Sequence, residues 1–255
     1  MKPSFLNSDK PLITAMIQLA TPKECIEKIT ASLESGADAV GIQLCCLKRE
    51  YRTKEILTEI FAACKGKPIY VTSYRLWESE GMTDDECAEL LLLALDCGAT
   101  LCDVIGDMYE EGAEHQISRS EEAIKKQKAL VDEIHRRGGE VLVSSHTEKD
   151  LSVEENLALA QAQINLGTDV IKIVNIVDKK ENLYRQVESI QKIVAMTDKK
   201  LLLLASGEGQ QLRYTGPNFG VCMYLCVEKH DEIDTPEQPL IKTIKPIRDN
   251  MKFNL

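Results

Sequence analysis

A chain of 255 residues that is 44% hydrophobic can bury one large core, and α/β barrels of this size fold as one domain. A net charge of −10 and the lack of any Lys/Arg-rich block exclude nucleic acid and an anionic membrane surface as main partners. The N-terminus carries no signal-peptide apolar region and no apolar run approaches a membrane span, so a soluble cytoplasmic protein is expected.

Strand-like and helix-like segments alternate along the chain. The first strand is expected over 12–18. A helix follows from Thr21-Pro22, with Thr as N-cap and Pro at the first helical position, and ends at Gly36. The second strand covers 39–45 and its helix 53–64; the third strand covers 68–74. Thr83-Asp-Asp-Glu86 is a capping box that opens the third helix, which Gly98 stops. The fourth strand is 100–105, and its helix starts near Ser118 or Ser120 and runs to Gly138-Gly139. The fifth strand is 140–145; its helix starts at the capping box Ser152-Val-Glu-Glu155 and ends at Gly167. The sixth strand is 169–174 or slightly longer, with a helix over 180–196. The seventh strand, 200–205, precedes a short helical stretch at 210–218; the eighth, 220–227, precedes a helix over 237–250.

The strands are short apolar runs without clean alternation, as expected of parallel strands covered on both faces. Eight βα units in this length predict a single (β/α)8 barrel spanning 1–255. A doubly wound open sheet would want a Gly-rich turn after the first strand, and Leu19-Ala-Thr-Pro22 is not one. The nine cysteines are expected to be buried reduced thiols, because Cys222 and Cys226 lack zinc-ribbon spacing and a histidine neighbour.

Lys172 stands out within Thr168-Asp-Val-Ile-Lys-Ile-Val-Asn-Ile-Val177. An ammonium among Val and Ile must be paired, neutral or reactive, because burying it as a spectator costs too much. A neutral amine there would add to a ketone and give an iminium, which acidifies the neighbouring C–H. One strand earlier, Val141-Leu-Val-Ser-Ser-His146 delivers an imidazole to a strand end, where a general acid/base would stand. Strand ends also offer Gln43, Arg75, Asp103 and, after the seventh strand, Arg213, which would hold a carboxylate. The bland alternatives are a lysine paired with an acid, a histidine at a strand end, and arginines in surface ion pairs.

The chain resembles type I 3-dehydroquinate dehydratase, a Schiff-base-forming lyase. The likeness lies in Gly36-Ala-Asp-Ala-Val40, Pro68-Ile-Tyr-Val-Thr-Ser-Tyr-Arg75 with Glu80-Gly81, Ser144-Ser-His146 and Asp169-Val-Ile-Lys-Ile173. It continues in Ala205-Ser-Gly-Glu-Gly209, Arg213, Gly216, Phe219-Gly220 and Thr235-Pro-Glu-Gln238. The resemblance implies dehydration of 3-dehydroquinate to 3-dehydroshikimate without metal or organic cofactor, a keto-acid substrate and a homodimer. It implies Lys172 as the imine lysine and His146 as the acid/base. Arg213 and Gln238 would hold the substrate carboxylate region, Arg75 the ring hydroxyls, with Gln43 and Thr235 completing the binding set. Asp103 would be a supporting acid, as would Glu80 once one inserted residue is allowed.

The chain departs from the family where a Glu-x-Arg-x-Asp motif is usual on the second strand and Gly41, Gln43 and Cys45 stand instead. Ile105 and Thr147 replace acids, and Asp234 replaces a serine near the carboxylate pocket. The same lysine chemistry on another keto acid, or a metabolite-binding barrel without turnover, are the alternatives these departures raise.

Overall fold

The eight apolar runs form eight parallel strands in the computed structural model, which describes residues 3–231 and 236–253. The strands are β1 Leu12–Ile17, β2 Ala39–Gln43, β3 Ile69–Thr72, β4 Leu101–Ile105, β5 Glu140–His146, β6 Val170–Val177, β7 Lys200–Gly207 and β8 Met223–Cys226. The helices between and after them are α1 Pro22–Glu34, α2 Lys54–Ala62, α3 Asp84–Asp96, α4 Glu121–Arg136, α5 Val153–Asn165, α6 Leu183–Met196, α7 Leu212–Thr215 and α8 Ile241–Asp249. The strands pair in the order β7-β6-β5-β4-β3-β2-β1-β8. The gap between β8 and β7 is spanned by one bridge, Leu201 to Val221, and by the Cys222 N–H donating to Leu201 O at 2.8 Å. The result is a nearly closed (β/α)8 barrel, as the alternation predicts.

Local chemistry sets the helix starts. Thr21, Thr53 and Ser120 each accept a backbone N–H of the first turn, and Thr83 and Ser152 form full capping boxes with Glu86 and Glu155. The expected 237–250 helix begins only at Ile241, because Pro239 holds the residue before it out of the helical region. The 210–218 stretch splits into α7 and a tighter turn at Gly216–Phe219, where Pro217 has no N–H to continue the ladder. The second strand ends at Gln43, and Leu44–Cys46 turn away as a single 3₁₀ turn.

The strands are sealed on both sides. Residues such as Ile13, Val40, Val71, Val143, Ile171 and Leu203 meet helices or the barrel interior with no more than 1% of their surface exposed. All nine cysteines are free thiols, and all but Cys46 and Cys97 are buried. No described helix is long and apolar enough to cross a membrane.

Candidate active site

The C-terminal ends of the strands open into a cavity of about 410 Å³. Its walls include Met16, Gln18 and Gln43 from the first two strands and their ends, Tyr70 and Tyr74 from the third, and His146, Lys172, Arg213 and Gln238 from later elements. Catalytic sites of (β/α)8 enzymes occupy this end.

At the bottom lies a buried charge cluster contributed by four successive strands. Register places Lys172 of β6 beside Ser144 of β5, and Ser144 beside Ile105 of β4. Two residues before Ile105, Asp103 therefore faces the same interior. Lys172 Nζ is 3.0 Å from Asp103 Oδ2, 3.0 Å from Tyr70 Oη and 2.9 Å from Tyr74 Oη. Tyr74 donates to Asp103 Oδ2 at 2.6 Å, Tyr70 donates to the same oxygen, and Ser144 donates to Oδ1 at 2.5 Å. Burial opposes ionisation of the fully buried Asp103, but the Lys172 charge and the three hydroxyl donors outweigh it and hold the carboxyl below its usual range. Both tyrosines are pushed well above their ordinary values, first by burial and then by the Asp103 charge, so they keep their protons. Of the three states open to a buried lysine, the resting protein shows the paired one, an ion pair with Asp103.

His146 ends β5, with its ring 5.4 Å from that of Tyr74. Burial first, then the Lys172 and Arg213 charges, push its pKa down to about 3, so the imidazole is neutral at working pH. The backbone N–H of His146 donates to Gln116 Oε1 at 2.7 Å, which makes that atom an acceptor. His146 Nδ1, 3.1 Å from the same oxygen, must then carry the ring proton, and Nε2 presents a lone pair. Gln116 is itself fixed: its carbonyl accepts from Ser145 Oγ and lies where a Cβ on Gly106 would be 2.4 Å away, so only glycine fits there. Support for His146 thus comes from the loop after β4. Thr147, which stands where the family has an acid, is engaged elsewhere and donates to Asn175 Oδ1 at 2.9 Å.

Arg213, at 7% exposure, lines the cavity. Its guanidinium donates to Ala205 O at 3.1 Å and Ser206 Oγ at 3.1 Å and meets Glu237 at 3.4 Å. Gln238 is buried in the same wall, and its Oε1 has no hydrogen-bond partner among the described residues. Gln43 faces the cavity and accepts from Cys46 Sγ. Arg75 does not reach it: its guanidinium binds Asp84, meets Asp107 at 2.6 Å and lies 3.6 Å from Glu111. Burial works against the Arg75 charge, but these acids raise its pKa overall. Glu80 is exposed on the loop after β3 and also stays out of the cavity walls. Thr235 and Asp234 lie outside the described residues. Among the described residues no cluster of three or more His, Cys, Asp or Glu side chains is placed to hold a metal ion.

Tyr70, Gln116 and Met16 are among the cavity residues that escaped the sequence reading. Tyr70 sits in an apolar strand, where it reads as core. Gln116 belongs to an irregular loop with positive φ at His115 and Gln116. Met16 looks like any strand methionine, yet its Sδ fills the space above Gly41, where a Cβ would stand 2.4 Å from it.

A nearly closed ring of parallel strands with a paired lysine and a neutral histidine at its C-terminal mouth defines a (β/α)8 protein of the enzyme type. The type I 3-dehydroquinase model matches residues 13–252, and the chain belongs to that family, a family of dehydratases. Type I 3-dehydroquinate dehydratase of Clostridium difficile, solved with covalently modified comenic acid, superposes with a TM-score of 0.79 at 18% identity over 95% of this chain and 92% of that one. The 3-dehydroquinate dehydratase of Geobacillus kaustophilus gives 0.79 at 16% identity, covering 94% and 90%. That of Enterococcus faecalis gives 0.75 at 15% identity, covering 96% and 95%. At these identities the likeness speaks for the fold. No curated protein matches the sequence.

Proposed function

We propose that the protein is a hydro-lyase that converts 3-dehydroquinate to 3-dehydroshikimate through an imine on Lys172. The observation that carries this reading is the presence of Lys172 and His146 in one cavity, one an ammonium held against a carboxylate that can take its proton, the other a neutral base. Asp103 takes one proton from the Lys172 ammonium, the freed amine adds to the ketone, and water is lost to give the iminium as that proton is returned. The iminium withdraws electrons from the adjacent C–H, and His146 Nε2 takes that proton. The electron pair forms the C=C bond as the β-hydroxyl departs, the same imidazole now returning its proton to the hydroxyl oxygen. Hydrolysis of the iminium releases the enone and the lysine. Arg213 and Gln238 hold the substrate carboxylate, with Gln43 contacting the ring. Asp103 balances the lysine charge before the reaction and the iminium charge during it. The assembly is a homodimer in this proposal, which light scattering after size exclusion checks.

Assaying growth of the conjugated-enone absorbance with 3-dehydroquinate, together with borohydride trapping, tests the reading. A substrate-mass adduct on Lys172 and enone formation are expected. An unmodified Lys172 under conditions that label a type I enzyme refutes the imine.

A second reading keeps the imine and changes the substrate. Its support is that no carboxylate side chain is among the described cavity walls, and that Met16 occupies the room above Gly41. A keto acid with fewer hydroxyls would then be preferred, and ordinary kcat/KM for 3-dehydroquinate would dispose of this alternative.

A further inference from the structure

On the imine reading, on which the inference rests, imine formation requires more proton transfers than the lysine and histidine account for. Lys172 begins as an ammonium paired with Asp103. The balance is simple: Lys–NH3⁺ and a ketone give Lys–NH⁺=C and water, so two of the three ammonium protons end on the departing oxygen. His146 has no proton to give at that stage, since its one ring proton is on Nδ1 and bound to Gln116. Asp103 can receive a proton directly from Nζ at 3.0 Å, but it has 0% exposure and is not a cavity wall. The oxygen that must be protonated lies in the cavity.

Two hydroxyls connect the carboxylate to that space, and they differ. Tyr70 lies within β3 and is fully buried; Tyr74 stands beyond the strand end, next to His146. Tyr74 Oη accepts from Lys172 Nζ at 2.9 Å and donates to Asp103 Oδ2 at 2.6 Å. These donor directions form a wire along which one proton passes from Nζ to Oη as another passes from Oη to the carboxylate. Run backwards, the wire ends at the carbinolamine oxygen, which is two bonds from Nζ and so within reach of Oη. We propose that the Tyr74 hydroxyl is the acid that protonates the departing carbinolamine oxygen and that Asp103 reloads it. The step breaks the C–O bond; the nitrogen lone pair forms C=N; the Tyr74 proton goes to the hydroxyl, leaving as water; and Asp103–COOH returns its proton to Tyr74. Asp103 is then a carboxylate again and pairs with the new iminium. In the absence of Tyr74, the one remaining hydroxyl link from Asp103 to the cavity is the more deeply buried Tyr70.

Formaldehyde with cyanoborohydride tests the relay with a carbonyl small enough for any lysine, whatever the natural substrate. Methylation at each lysine is followed by peptide mass spectrometry. In Tyr74→Phe, which keeps the ring and its packing, Lys172 should label about 100-fold more slowly, the range of a lost general acid. The exposed Lys23 should label as in the wild type. Tyr70→Phe removes a hydroxyl from the same carboxylate and should slow Lys172 less than about tenfold. A slower wild-type rate in D2O should shrink in Tyr74→Phe, which a packing defect would not cause. Equal Lys172 labelling in the wild type and Tyr74→Phe, equal loss in both variants, or no labelling of wild-type Lys172 overturns the proposal. Wild-type protein that methylates at Lys172 but gives no adduct with 3-dehydroquinate removes the proposed substrate and leaves the relay standing.

Discussion

Asp103→Asn probes the charge cluster most directly. The carboxylate is fully buried and accepts from Lys172 at 3.0 Å, Tyr74 at 2.6 Å, Ser144 at 2.5 Å and Tyr70. An amide of the same shape has no charge, and its NH2 turns a donor towards groups that are donors themselves. Lys172 is then left buried without its counter-ion, which costs about 3–5 kcal/mol. Against a total stability of about 5–15 kcal/mol this is a large fraction. Urea unfolding at pH 7, followed by circular dichroism, should show a lower midpoint with an unchanged slope. Adding Lys172→Met removes both charges, so the double variant should lose less than the two single losses combined. The pH sign also follows. With a native carboxyl held below its ordinary 3.8, the stabilisation is complete above that value and is lost as pH falls through the folded value. The variant should lack this part of the acid sensitivity. Asp103→Asn within about 1 kcal/mol of wild type, or strictly additive losses, would refute the ion-pair account.

Three other outcomes are expected. His146 is held at about 3 against an ordinary 6.5, so between these values the unfolded chain binds a proton that the native protein refuses. Stability should therefore fall as pH drops from about 6.5, and His146→Gln should flatten that part of the profile; parallel denaturation profiles would contradict it. Arg213→Lys keeps a charge but loses the planar fork, so KM for 3-dehydroquinate should rise about 10- to 100-fold with a smaller change in kcat, and steady-state kinetics with unchanged KM would remove Arg213 from the binding site. Gly41→Ala pushes a methyl against Met16 and Tyr70 and should cost about 1–3 kcal/mol in thermal or urea unfolding; wild-type stability would show that Met16 yields freely.

The barrel was legible because its signals are local: apolar runs of strand length, and caps such as Thr83 and Ser152 that mark helix starts. Lys172 and His146 were legible because each contradicts the apolar pattern around it. Arg213, Gln238 and Gln43 followed from their places at or beyond strand ends. Arg75 shares such a place but is drawn off by Asp84 and Asp107, acids on α3 and on the loop after β4 that no local pattern connects to it. Glu80 is exposed at the end of the single turn Trp77–Ser79 and stays out of the cavity walls. Tyr70 and Gln116 could not be read, since one looks like core and the other acts through a loop that returns to β5 across the fold. The charge state of Lys172 depended on Asp103, a partner 69 positions away.

The uneven closure of the barrel divides its mouth into two kinds of wall. β5, β6 and β7 are laced by long ladders, eight residue pairs between β6 and β7, and they carry His146 and Lys172. Between β7 and β8 the lacing thins to one bridge, and Arg213 projects from the short helix on that seam. Opening a segment with few backbone bonds costs less than opening a full ladder. In the proposed reaction the anchoring arginine therefore rides on the compliant side of the cylinder, and the reacting amine and imidazole on the stiff side. Guests of different lengths could be accommodated by adjusting the grip while the chemistry stays in place, which gives this architecture a route to new substrates that leaves its reactive centre untouched.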